Sequence, residues 1–238
     1  MAQQHIVTSY EDELKGLAGS LAEMGGLAEH LVERALSALL RSDPVLAQQM
    51  ILADRQIDDM HRDIEERAVL VIARRQPMAQ DLRETIAAIR ISSDLERIGD
   101  LGKNIARRTV AIQDQVFSQK LRTGVQHLGD LCLAQVKNVL DAYGSRDLAK
   151  AQEVCRGDDE IDAVYTSLFR ELLTYMMEDP RNITMCTHLL FCAKNLERIG
   201  DHATNIAENI HYLVSGTQLA ETRPKKDETS TMPVDFKS

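Results

Sequence analysis

Asp94-Leu95-Glu96-Arg97-Ile98-Gly99-Asp100-Leu101-Gly102-Lys103-Asn104-Ile105-Ala106 returns 101 residues later as Asn195-Leu196-Glu197-Arg198-Ile199-Gly200-Asp201-His202-Ala203-Thr204-Asn205-Ile206-Ala207. Nine of the thirteen positions are identical. A weaker echo precedes each copy: Asp54-Arg55-Gln56-Ile57-Asp58 answers Asp158-Asp159-Glu160-Ile161-Asp162. Repetition at a fixed offset marks a duplicated supersecondary unit. Apolar periodicity decides what that unit is.

Leu14, Leu17, Leu21, Met24, Ala28, Leu31, Ala35 and Leu39 recur at spacings of three and four, one stripe along a long helix. Ser42-Asp43-Pro44 ends it and starts the next: Asp43 caps, and Pro44 suits a first helical position whose N–H is unpaired anyway. Met50, Ala53, Ile57, Met60, Ile64, Ala68 and Val71 define a second helix, which stops at Gln76-Pro77. A third runs from about Pro77 to Ile112, and 114–118 reads as a link. Leu121, Val125, Leu128, Cys132 and Val139 mark a fourth, ending near Gly144. Ile161, Val164, Leu168, Leu172 and Tyr175 mark a fifth, ending at Asp179-Pro180. Ile183, Leu190, Ile199 and Ile206 mark a sixth, ending near Gly216. The fold class is therefore all-α: two tandem three-helix bundles, six long antiparallel helices related by internal duplication. The boundaries are 1–114 for the first bundle, 115–215 for the second and 216–238 for a polar, aperiodic tail expected to be flexible.

Composition agrees. Of the 238 residues 44% are apolar, 27% charged and 4% aromatic, with no Trp. Such a chain is rich in helix formers and poor in strand formers. A net charge of −9 with no basic patch argues against nucleic acid and against direct docking on anionic lipid. Cys132, Cys155, Cys186 and Cys192 form no CxxC pair and read as reduced thiols of a cytoplasmic protein. Residues 1–10 lack the pattern of a secretory signal, and no stretch approaches the roughly 18 apolar residues of a membrane span.

Each half carries two acid pairs at i, i+4: Asp54/Asp58 and Glu96/Asp100, then Asp158/Asp162 and Glu197/Asp201. Residues four apart share a helix face. At about 100° per residue, Asp100 lies some 40° from Glu96, in line with Leu82 and Ile89. Like charges at this spacing destabilise a helix by about 0.2–0.5 kcal/mol, so clustered carboxylates call for a cation or a proton. Oxygen donors suit Mg, Ca, Mn or Fe, and His61 or His202 would extend the set toward zinc or iron. Taken alone, Asp54/Asp58 reads as a solvated face, and each histidine as an ordinary surface or core residue. Gly99 and Gly200 sit mid-helix beside the acids, which implies close packing or a ligand. Arg97 and Arg198 either steer an anion or pair with acids three or four residues away. No phosphate-cradling glycine loop and no nucleophile–base arrangement is present.

Arg75-Gln76-Pro77-Met78-Ala79-Gln80-Asp81-Leu82-Arg83, together with the two Leu-Glu-Arg-Ile-Gly-Asp segments, closely resembles the PhoU family over residues 8–215. The resemblance implies two three-helix bundles of approximate twofold symmetry and no catalysis. It implies partnership with a phosphate ABC transporter, through its ATPase subunit, and with the sensor histidine kinase of the phosphate regulon. The protein would then restrain phosphate uptake and signalling when phosphate is plentiful, as a cytoplasmic homodimer that meets the membrane only through its partners. It also implies metal clusters on Glu96, Asp100, Glu197 and Asp201, and on Asp54, Asp58, Asp158 and Asp162, holding iron, zinc, manganese or magnesium. The alternatives are a carboxylate-bridged metal enzyme, which the single acid-x-x-His at Asp58-His61 disfavours, and a purely structural helical scaffold.

Overall fold

The computed structural model describes residues 2–115 and 118–217, with side chains from Tyr10 onward. Six helices follow in order: α1 Ala2–Arg41, α2 Pro44–Arg75, α3 Ala79–Ala111, α4 Gln119–Ser145, α5 Leu148–Glu178 and α6 Ile183–Ser215. A single 3₁₀ turn, Pro180–Asn182, leads into α6, and no strand occurs among the described residues. The tail expected at 216–238 lies almost wholly outside them.

The stops and starts follow local chemistry. The Asp43 carboxylate accepts from the Leu46 N–H at 2.9 Å, and Pro44 takes the first helical position. Asp147 caps α5 in the same way, accepting from Ala149 and Lys150. Gly216 ends α6 in the left-handed conformation, φ 76°. One boundary differs from expectation. The third helix begins at Ala79 rather than about Pro77, because Gln76 and Ala79 both adopt a φ of 49° and turn the chain on either side of the proline.

Within each half the three helices pack on one another. The halves then join through α3 against α6 and α1 against α4. The α3–α6 pair is antiparallel: Arg90 reaches Tyr212 at one end and Arg108 stacks on Phe191 at the other, 5.8 and 4.0 Å from the ring centroids. The α1–α4 crossing is reciprocal. A Cβ on Gly25 would meet Leu140, and a Cβ on Gly129 would meet Leu36, at 2.4 and 2.3 Å. Both glycine–leucine pairs are related by the same offset along the chain. A contact that exchanges its two sides under the repeat is the signature of a twofold axis, here an internal one. Ile98, Ile105, Ile199 and Ile206 from the repeated segments are fully buried.

Candidate functional site

The duplication places one acid cluster on each outer seam, α2–α3 in the first half and α5–α6 in the second. In the first, Gly99 lets the helices approach until an added Cβ would touch Ile57 at 3.0 Å and Asp54 at 3.3 Å. In the second, Gly200 meets Ile161 at 3.0 Å in the same manner. Both glycines are thus close-packing residues, and their position presses the acids of one helix onto those of the next.

In the first cluster Asp54, Asp58 and Asp100 each bring a carboxylate oxygen within 4.8 Å of the other two. No other set of three metal-ligating side chains converges this closely among the described residues. Asp54 is 2% exposed, so it is not part of a solvated face as its sequence context alone implied. Burial is the main force raising its pKa, opposed by Lys103, and the neighbouring Asp58 and Asp100 add to the rise. The Lys103 ammonium donates to Asp54 Oδ2 and to Asp100 Oδ1, while the buried Asp54 Oδ1 has no hydrogen-bond partner. Desolvation acts to lower the Lys103 pKa, and the bonds to Asp100 and Asp54 outweigh it and raise it. Removing one partner of a buried pair such as Lys103–Asp54 costs about 3–5 kcal/mol.

Glu96 stands apart from that trio. It lines a shallow depression with Asp58, His61, Arg62 and Asp100, and burial raises its pKa. Arg97 bridges Glu96 at 3.2 Å and Asp100 at 3.4 Å, which settles the choice between anion steering and local pairing in favour of pairing. His61 Nδ1 lies 3.1 Å from Ser92 Oγ, and its Nε2 lies 3.7 Å from Glu65.

The second cluster is drier. Asp158, Asp162 and Glu197 are all buried, and Asp201 is half-buried. The position of Lys103 is taken by Thr204, which donates to the Gly200 carbonyl at 3.1 Å and lies 3.5 Å from Asp158 Oδ1. Gln135 of α4 enters this core. It donates to the Val154 carbonyl at 2.8 Å, while its own buried Oε1 accepts no hydrogen bond. Lys194 approaches from the other end of the motif, bonds Glu197 at 2.9 Å and lies over the Tyr165 ring. His202 turns away to the centre of the molecule, where its Nδ1 donates to Asp94 at 2.9 Å across the α3–α6 contact. It takes no place in the cluster.

Lys103, Lys194 and Gln135 were not singled out as site residues in the sequence. The two lysines were nonetheless readable: each lies three residues from a motif acid, within reach on a helix face. Gln135 was detectable as a polar residue interrupting the stripe of Leu128, Cys132 and Val139.

A family model described as the PhoU domain matches residues 21–109 and again 125–210. The chain belongs to the PhoU family. The phosphate-specific transport system accessory protein PhoU homolog of Rhizobium meliloti (strain 1021) is 57% identical over 98% of both chains. The corresponding homolog of Caulobacter vibrioides (strain NA1000 / CB15N) is 48% identical over 94% of this chain and 97% of its own. The crystal structure of PhoU from Pseudomonas aeruginosa superposes with a TM-score of 0.85 at 42% identity, covering 87% of this chain and all of the other. The phosphate transport system regulatory protein PhoU from Streptococcus pneumoniae gives 0.81 at 29% identity, covering 89% and 100%. The two PhoU matches fall on the two bundles and include all four acid pairs.

Proposed function

We propose that this chain is the non-catalytic accessory regulator of a phosphate transport system. It acts as a cytoplasmic adaptor between the ATPase subunit of a phosphate ABC transporter and the sensor histidine kinase of the phosphate regulon. The observation that carries this reading is the end-to-end similarity to a phosphate-specific transport accessory protein, 57% identity over 98% of both chains. No described helix is long and apolar enough to cross a membrane, which fits a protein that reaches the transporter by docking. An adaptor works by binding one state of its partner better than another, and the difference in binding free energy shifts the partner's equilibrium. The two-bundle body supplies surfaces for two partners, and a homodimer would double them.

A hard cation is the cofactor that suits the second cluster. Asp158, Asp162, Glu197 and Asp201 offer only oxygen donors, three of them on buried carboxylates, a set that favours iron, manganese or magnesium over a thiolate-type zinc site. Bound there, the cation would neutralise buried charge and lock α5 to α6.

Deletion tests the regulatory reading. In cells grown in abundant phosphate, loss of the chain should raise alkaline phosphatase and transporter expression to starvation levels. Unchanged phosphatase expression would falsify it. The enzyme alternative calls for a different result, redox turnover or oxygen consumption by iron-loaded protein.

A further inference from the structure

We infer that Lys103 is a built-in cation that closes the first carboxylate cluster to metal. This deepens the metal reading given above. Asp54, Asp58 and Asp100 have the convergence of a hard-metal site, within 4.8 Å of one another. A divalent ion there would have to bond the carboxylate oxygens at about 2.0–2.6 Å. The Lys103 ammonium already donates to Asp54 Oδ2 and Asp100 Oδ1. A metal ion bonded to those oxygens would sit directly against the ammonium, where the repulsion of two cations is poorly screened. The lysine is tethered one helical turn from Asp100 and gives up no translational freedom, whereas a free ion must be captured from solution. Its side chain is 15% exposed and that of Asp54 is 3% exposed, so the pair is sheltered from competing water.

The repeat supplies the control. The residue aligned with Lys103 is Thr204, whose short hydroxyl lies 3.5 Å from the aligned aspartate, Asp158, and brings no charge. Lys194 of the second half is aligned with Ser93 and bonds Glu197. Each seam therefore has a lysine, but only Lys103 sits among carboxylates that converge on a common point.

Metal stoichiometry after equilibrium dialysis against Mn²⁺ tests this in the full chain. The background carries E197Q/D201N, so that ions in the second cluster are not counted. With Lys103 intact this protein should bind no Mn²⁺. Adding K103T, which installs the residue of the other half, should create one site per chain, and D100N should remove it again. K103Q, whose amide still donates to one carboxylate, is the companion that spares the fold and should gain the same ion. Circular dichroism and melting in EDTA and in Mn²⁺ accompany each sample, and Mn²⁺ should raise the Tm of K103T alone among the threonine pair K103T and K103T/D100N. The inference is overturned if the Lys103 protein already holds an ion that D100N releases. It is equally overturned if K103T and K103Q bind none, or if neither folds even in Mn²⁺. Should the unmutated chain bind no metal while K103T gains one, the second-cluster reading fails and this one stands.

Discussion

Glu13 accepts from Arg75 through both carboxylate oxygens, at 2.7 and 3.0 Å, and ties α1 to the end of α2. The hydrogen bonds to Arg75 hold its pKa below the usual 4.5, with burial opposing. The unfolded chain therefore takes up this proton at a higher pH than the folded one, and stability rises with pH between the two values. The contribution is complete above 4.5 and is lost as pH falls through the folded value. E13Q should melt below the wild type at neutral pH, and the two Tm curves should converge on acidification from about pH 5 to about pH 3. A gap that stays constant over that range would mean that the pair acts through packing instead. Thiols obey a similar logic. Burial pushes Cys192 up to about 12, and Cys132 and Cys186 are also raised by burial. Because the thiolate is the nucleophile, iodoacetamide should modify the half-buried Cys155 of the folded protein and spare the other three until denaturant is added. Mass spectrometry of the tryptic peptides reads this directly; native labelling of Cys132 would contradict the packed α4–α6 core.

At the scale of the helix, Gly25 and Gly26 make opposite predictions from adjacent positions. Nothing lies within 4 Å of a Cβ built on Gly26, while one on Gly25 would overlap Leu140. Alanine at either site gains about 1 kcal/mol of helix propensity. G26A should keep that gain in full. G25A must also push the half-buried Leu140 aside at a cost of about 1–3 kcal/mol, for a net loss of about 0–2 kcal/mol. Urea unfolding of the two variants decides it, and stabilisation by both would mean that the α1–α4 crossing is looser than its geometry. This contrast also marks where sequence reading stops. The Asp43-Pro44 start and the Gly216 stop were legible because capping is local chemistry. The left-handed turns at Gln76 and Ala79 were not, since neither residue type prefers that conformation. The acid pairs could be found by spacing and their repetition, but the burial of Asp54 depends on Ile57 and Gly99 meeting across two helices. Lys103 was visible at i+3 from Asp100, yet only the approach of α2 shows that it also serves Asp54. The Gly25–Leu140 contact joins residues far apart in the chain, with no local mark on either.

The whole molecule is organised around α3 and α6. Each carries its acid motif toward an outer seam, and the two pack against each other across the internal twofold axis. Ile98, Ile105, Ile199 and Ile206 are fully buried, and Leu95 and Leu196 with them. The polar contacts between the halves lie in that same surface: His202 and Asn205 of α6 both reach Asp94 Oδ1 of α3, at 2.9 and 3.4 Å. Separating the halves would expose the apolar faces of two long helices at about 25 cal/mol per Å² and break the contacts of His202 and Asn205 with Asp94. The bundles should therefore unfold together, although the duplication implies an ancestor that folded as a smaller unit. A body that unfolds as one is what the proposed adaptor role would use to couple its two acid seams. Native-state hydrogen exchange measures this coupling. Amides of 98–106 in α3 and 199–207 in α6 should share the same highest protection and the same dependence on denaturant, because one global opening exposes both. If the α6 amides exchange through a separate opening of lower free energy, the second bundle unfolds on its own, and a signal at its acid cluster would not reach the first.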